Sequence, residues 1–230
     1  MANYILGCDV SHWNTPVWSD WAIKDYRFVW IKATEGTAWL DPRYTSHKRD
    51  AMDVGFVTGG YHYFRSAFDG TQQADFFWSV IGATDLPPAI DVENINNVGF
   101  SQLAFRDQLR KCVIRIAELS GRRPVIYTRK SAWEPLVGSA PDIAGLCDLW
   151  VADYGWDGNG NGIGIPRLPK DWASWSVWQY TSKLLDQDRM TDDYWDSLFP
   201  APSPPPPDTV TITLPREVAE KLHTALHDAE

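Results

Sequence analysis

Cysteine is scarce in this chain, with three among 230 residues. Cys8, Cys112 and Cys147 are odd in number and far apart, so neither a disulfide framework nor a Cys-x-x-Cys metal site is expected. Cys8 stands one residue before an acid and reads as a small buried strand residue. Positive charge is in deficit as well: 21 Lys and Arg face 30 Asp and Glu, a formal net charge of −9. A nucleic-acid partner would want a basic face and an anionic membrane would repel the chain, so neither is expected. No apolar run approaches bilayer-spanning length. The opening Met-Ala-Asn-Tyr-Ile-Leu-Gly has no basic n-region and no long apolar stretch, so it does not read as a signal peptide. Zinc-ligand spacing and a phosphate-binding loop are missing too, and no cofactor is expected.

What the chain does have is apolar and aromatic matter. Hydrophobic residues make up 44% of it, enough for one large core with a small appendage. Its 13 tryptophans are the most unusual number. Some must be core, yet flat, partly polar faces also suit stacking on sugar rings.

Short apolar segments alternate with stretches of helical spacing. Strands are predicted over 4–9, 28–33, 56–64, 88–94, 124–128, 149–154 and 177–181, with an eighth at 184–186. Helices are predicted over 17–24, 42–54, 71–81, 100–119 and 131–137. The longest carries an apolar stripe of Leu103, Leu109, Val113, Ile116 and Ala117. Strands alternating with helices imply parallel pairing, and about eight of them in roughly 200 residues imply a closed α/β barrel. The last three strands have no convincing helix between them, so the closing side should be irregular.

Residues 88–94 read Pro-Ala-Ile-Asp-Val-Glu-Asn, an apolar strand ending in two acids. Strand side chains alternate faces, so Asp91 and Glu93 point the same way, with Cα atoms roughly 6.5–7 Å apart. Neighbouring carboxylates disfavour each other's charge, and burial disfavours both, so one should hold a proton near neutral pH. A proton donor beside an ionised neighbour is what glycosidic cleavage needs. The plain alternative is a pair of solvated acids at a strand exit. Asp9, Glu35, Asp153 and Asp186 also lie at or just after predicted strand ends. In a β/α barrel those ends converge on one face, where active sites are built, and that favours the catalytic reading.

Assembled in order, these segments resemble family 25 glycoside hydrolases, the Chalaropsis-type lysozymes. Gly7-Cys8-Asp9-Val10-Ser11-His12-Trp13 is similar to the family's opening G-x-D-V-S-x-W. Lys32-Ala33-Thr34-Glu35-Gly36 resembles its K-A-T-E-G, Gly60-Tyr61-His62-Tyr63-Phe64 its third-strand motif, and Asp91-Val92-Glu93 its D-x-E. Trp150-Val151-Ala152-Asp153-Tyr154 and Trp178-Gln179-Tyr180 match its late W-x-A-x-Y and W-Q-Y. Each motif is weak alone, but their order across residues 4–199 is specific. The resemblance implies a flattened, irregular (β/α)5(β)3 barrel that cleaves the β-1,4 bond between N-acetylmuramic acid and N-acetylglucosamine. It implies Glu93 as general acid and Asp91 as the residue that orients the substrate's acetamido group for attack. Asp9 and Asp186 would complete the acidic cluster. The family's last motif, Asp-x-Asn, stands here as Asp186-Gln187-Asp188, so Asp188 rivals Asp186.

The supporting residues each have two readings. His62 is either a bonded core histidine or a substrate contact. Lys32 and Glu35 either pair with each other or meet substrate. Trp13, Tyr61, Tyr63, Tyr127, Tyr154 and Trp178 are either core or sugar-contacting, with the barrel mouth favouring sugar; Asp153 and Gln179 join them as substrate-side candidates. Phe76, Phe77 and Trp78 read as packing on a helix.

Asp157-Gly-Asn159-Gly-Asn161-Gly162 imitates half of a calcium loop, but the twelfth position is Leu168 rather than Glu, so a glycine-rich surface loop is expected. The barrel should occupy residues 1–200, followed by a proline-rich spacer at 201–207 and a short strand–helix tail at 208–230. Val218, Leu222 and Leu226 would form one apolar stripe on that tail, which reads either as a disordered or loosely docked extension or as a self-association element over 208–230. The expected partner is bacterial peptidoglycan. Without a leader, the chain reads as a phage lysis enzyme made in the host cytoplasm, or as a bacterial enzyme freed by lysis. Rival readings are a non-catalytic sugar-binding barrel, which would lack one of the acids, and a chitinase-like enzyme, which would want D-x-x-D-x-D-x-E where this chain has Pro88-Ala89-Ile90-Asp91.

Overall fold

A computed structural model describes residues 4–154 and 164–200. The glycine-rich loop at 157–162 and the spacer and tail at 201–230 lie outside the described residues.

Eight strands close a ring: β1 (Tyr4–Val10), β2 (Tyr26–Glu35), β4 (Val57–Tyr63), β5 (Ala89–Asp91), β6 (Val125–Thr128), β7 (Asp148–Ala152), β8 (Val177–Thr181) and β9 (Asp186–Thr191). Neighbours follow the order β1-β9-β8-β7-β6-β5-β4-β2, and β1 pairs with β2 to shut the barrel. A two-residue strand, β3 (Trp39–Leu40), turns back antiparallel on β2 outside the ring. The connections carry helices α1 (Trp18–Ile23), α2 (Tyr44–Asp53), α3 (Gly70–Ile81), α4 (Gln102–Ser120), α5 (Lys130–Leu136) and α6 (Pro141–Ala144), and α7 (Asp192–Leu198) follows β9. No helix among the described residues is long and apolar enough to cross a membrane.

Alternation sorts the side chains. On β1, Cys8 and Val10 pack outward against the helices, in a cluster with Val29, Ile31, Phe77, Leu109 and Val113. Inside the ring lie Phe28, Trp30, Tyr61, Tyr127, Trp150 and Met190. Trp30 and Trp150 stack at 4.9 Å there, both essentially unexposed. Gly7 makes room for this filling, because a Cβ there would lie 2.3 Å from the Phe28 ring. In the described part of the connection between β7 and β8, Leu168, Trp172 and Trp175 pack against Leu149, Val151, Trp178 and Tyr180. Several tryptophans are thereby consumed as packing.

Helix α4 starts where Ser101 accepts a bond from Ala104 N and stops at Gly121, in the left-handed region at φ 63°. Its buried stripe is Phe105, Leu109, Cys112, Val113 and Ile116. Leu103 was expected in that stripe but is 69% exposed, because it stands two residues before the buried Phe105 and so falls on the other side of the helix. Asp69 caps α3 by accepting from Thr71 N and Gln72 N. The two helices touch so closely that a Cβ on Gly70 would sit 1.9 Å from the Gln108 carbonyl oxygen.

Two predicted strands are corrected. The fourth spans only Ala89–Asp91, so Glu93 stands beyond its end, although Val92 N still bonds Tyr127 O. The eighth is Asp186–Thr191, not 184–186, and runs antiparallel to both β1 and β8. Leu184 has a positive φ of 69° and is 95% exposed, which makes it a turn residue. Asp186 therefore opens its strand, and it reaches the active face because that strand points the other way.

Candidate active site

The C-terminal ends of the parallel strands and the start of β9 surround a pocket of about 210 Å³. Asp9, Asp91, Glu93 and Asp186 line it together with Tyr61, Tyr127, Trp150, Tyr154 and Gln179. Strand pairing brings the acids together: Asp9 lies opposite Asp186, and Asp91 opposite Tyr127 and Tyr63. Gln179 organises one wall, donating from Nε2 to Asp9 Oδ2 at 2.6 Å. Its Oε1 accepts from the Tyr127 and Tyr154 hydroxyls, both at 2.9 Å. Glu93 is held through its backbone, since Asn97 Nδ2 donates to Glu93 O at 2.9 Å and to Phe64 O at 2.7 Å. Asn97 is itself fully buried.

Burial raises the affinity of this cluster for protons. The Asp91 carboxyl is pushed well above the carboxylate range by desolvation and then by the nearby Glu93 charge. Glu93 is also raised by burial, with Arg129 and Lys32 pulling the other way. Asp186 is pushed to about 6, by burial first and by Glu93 second. Asp9 is raised by burial and by the charges of Asp186 and Asp188. Asp91 Oδ1 is buried with no hydrogen-bond partner. Burial and mutual repulsion thus raise the proton affinity of the whole cluster, which favours a carboxyl that can hold and then give up a proton, as general acid catalysis requires. Among the described residues, no group of three or more His, Cys, Asp and Glu side chains is set to hold a metal ion.

The sequence profile described as Glycosyl hydrolases family 25 matches residues 8–188. The chain belongs to that family. Lysozyme M1 of Streptomyces globisporus is 33% identical over 190 residues, which cover 77% of this chain and 62% of that protein. An N,O-diacetylmuramidase of Arthroderma benhamiae is 31% identical over 163 residues, 66% of each chain. The chain therefore spans slightly under two thirds of the length of these curated relatives. The family GH25 lysozyme of Aspergillus fumigatus superposes with a TM-score of 0.77 at 28% identity, covering 85% of this chain and 99% of that one. The family's α/β barrel is the fold described above.

Within this family 25 barrel, alternation decides which sequence candidates reach the pocket. Tyr61 faces in, whereas His62, the next residue, faces α3 and is fully buried. Its Nδ1 meets the Thr34 hydroxyl at 2.8 Å and its Nε2 meets Gln73 Oε1 at 3.1 Å. Burial lowers its pKa to about 4, so it is a neutral core histidine, not a substrate contact. Trp178 is likewise out of phase with Gln179: it is 2% exposed and its Nε1 donates to Asp153 O at 2.6 Å. Asp153 turns to Arg167, whose guanidinium reaches its two carboxylate oxygens at 2.7 and 2.9 Å. Trp13 is 83% exposed on the rim, against His12 at 4.4 Å, and does not line the acid pocket. Lys32 and Glu35 pair at 2.9 Å, and Arg65 binds the other Glu35 oxygen at 2.6 Å. Burial opposes the Glu35 charge, but these two cations outweigh it and hold the pKa below the usual value. The Lys32 ammonium also lies over the Tyr63 ring at 4.7 Å. Asp188 sits one layer beneath Asp186, fully buried, accepting from Trp150 Nε1 at 2.8 Å. Of the two, Asp186 lines the pocket and Asp188 does not.

Sequence reasoning missed Arg129, Arg65, Asn97 and the buried Asp41, which accepts from His12 Nδ1 at 2.8 Å. Arg129 follows the sixth strand end directly, so position alone offered a signal. Asn97 offered none, because its role is to fix backbone after a strand.

Proposed function

We propose that this family 25 hydrolase cleaves the β-1,4 bond between N-acetylmuramic acid and N-acetylglucosamine in bacterial peptidoglycan. Glu93 gives its proton to the leaving glycosidic oxygen. The substrate's acetamido oxygen attacks the anomeric carbon from the opposite side, and Asp91 takes up the acetamido N–H and steadies the positive charge that develops there. Water then opens the cyclic intermediate, the Glu93 carboxylate removes the water's proton, and the product keeps the β configuration. Asp9 and Asp186 hold water and substrate around this pair. Lysozyme and muramidase activities carried in the names of relatives support the substrate class.

The observation that carries this reading is the buried, partnerless Asp91 Oδ1 in a pocket that also holds Glu93. A polar atom in that state calls for a donor, and an acetamido N–H is one. Glu93 rather than Asp91 is the proton donor because its side chain keeps 18% exposure and can reach the exocyclic oxygen. The test is purified protein on bacterial walls, with reducing ends and free amines both measured. Reducing ends without new amines are expected. New amines alone would make the enzyme an amidase or peptidase and overturn the reading.

A further inference from the structure

Beside the acid pocket lies a larger cleft of about 460 Å³, and the two share Tyr127 and Tyr154 in their walls. Its character is opposite. Arg129, Lys130 and Arg167 line it, with Glu134 and Asp153 as the acids among the described residues, in a chain whose net charge is −9. Lys130 is tied to Glu134 only at 3.7 Å, and Arg167 is committed to Asp153.

Arg129 is held only loosely. Its Nη2 stands 3.5 Å from Glu93 Oε1 and 3.3 Å from Asn94 Oδ1, both long for charged contacts. Its Nε is buried and has no hydrogen-bond partner. An arginine fork with one long ion pair and one orphaned donor is short of an anion. The residue stands at the boundary between the cleft and Glu93, so whatever it binds lies next to the scissile bond.

We propose that this cleft receives a carboxylate of the peptide carried by the muramyl sugar, with the Arg129 guanidinium as its main contact and Lys130 as an auxiliary charge. This rests on the peptidoglycan reading above and names a part of the substrate that glycosidic chemistry itself does not need. A neutral glycan such as a chitin oligomer offers the cleft no anion. The arginine would thereby select strands whose muramyl residues carry acidic peptides.

The test compares soluble peptidoglycan fragments with free peptide carboxylates against the same fragments after those carboxylates are converted to carboxamides. The wild-type enzyme is expected to prefer the acidic substrate in kcat/KM by about tenfold, the lower range for a hydrogen bond to a charged group. Arg129→Gln should abolish that preference, and Arg129→Lys should restore part of it. Lys130→Ala should reduce the preference by less than Arg129→Gln does. Equal wild-type rates on the two substrates, or an undiminished preference in Arg129→Gln, overturns the proposal. Cleavage of neither substrate by wild type would instead strike at the muramidase reading, so the two failures are distinguishable.

Discussion

Removing the Asp186 carboxylate should make the protein more stable while making it a worse enzyme. Asp186 is pushed from 3.8 in an ordinary setting to about 6 in the fold, by burial and by Glu93. A folded pKa above the unfolded one means that the native state holds the extra proton between about pH 4 and 6. This contribution to stability is complete below the unfolded pKa and is lost as pH rises through the folded value. At roughly 1.4 kcal/mol for each pH unit the displacement corresponds to about 3 kcal/mol. Asp186 keeps some access to water, so about 2 kcal/mol is the sounder figure. Asp186→Asn is neutral in both states and escapes this loss. At pH 7 its Tm should exceed wild type by about 4–8 °C, from the scaling for domains near 200 residues, and the gap should close by pH 4. Thermal melts of both proteins from pH 4 to 8, followed by circular dichroism, check this. A gap that does not change with pH, or a variant less stable at pH 7, would refute the argument that burial of this charge destabilises the fold.

Glu93→Gln should retain fold and wall binding and lose turnover by about 10²–10⁴-fold, measured as reducing ends released; activity within tenfold of wild type would remove Glu93 from the acid role. Asp91→Asn should also cost activity heavily, since a neutral amide steadies the acetamido charge less well, and a harmless substitution would sink the acetamido-assisted route. Fast NMR of the first product should find the β anomer; an initial α product would mean a single displacement by a base-activated water. Gly70→Ala should destabilise the fold by about 1–3 kcal/mol in urea titrations, because its methyl meets the Gln108 carbonyl where α3 crosses α4.

The barrel was legible because its parallel strands carry apolar runs separated by capped helices. Asp69 and Ser101 before their helices and Gly121 after α4 mark boundaries that local chemistry sets. The acids were legible for the same reason, since strand ends in such a barrel share one face. What failed was phase. His62 and Trp178 stand beside Tyr61 and Gln179 in the chain, and adjacent strand residues point to opposite sides. Applying the period-two rule within each motif would have set both aside. The last strand failed because its polar sequence, Asp-Gln-Asp-Arg-Met-Thr, hides a strand whose inward face is acidic by purpose. Arg129 stood just past a strand end and was readable by position, whereas Arg65 and Asn97 were invisible because their partners are far along the chain or are backbone atoms.

The reversed strand β9 has a consequence for how this site tolerates insertions. Asp186, Asp188 and Met190 face the barrel interior, while Gln187 meets the Tyr26 and Tyr180 hydroxyls and Arg189 lies over the Tyr180 ring outside. A one-residue insertion that slid the strand along its neighbours would carry Arg189 into the acid cluster and expel both aspartates. Sliding β9 by two residues so that Asp188 moved up to the mouth would keep a carboxylate there, at the expense of the Trp150 contact below. The spacing of two between the acids lets the mouth keep a carboxylate through a two-residue slip in that direction, whereas the opposite slip would bring Leu184 there and an odd slip would expel both acids. The hairpin turn around Leu184 is therefore a place where loop length, rather than loop composition, controls whether the enzyme has its fourth carboxylate.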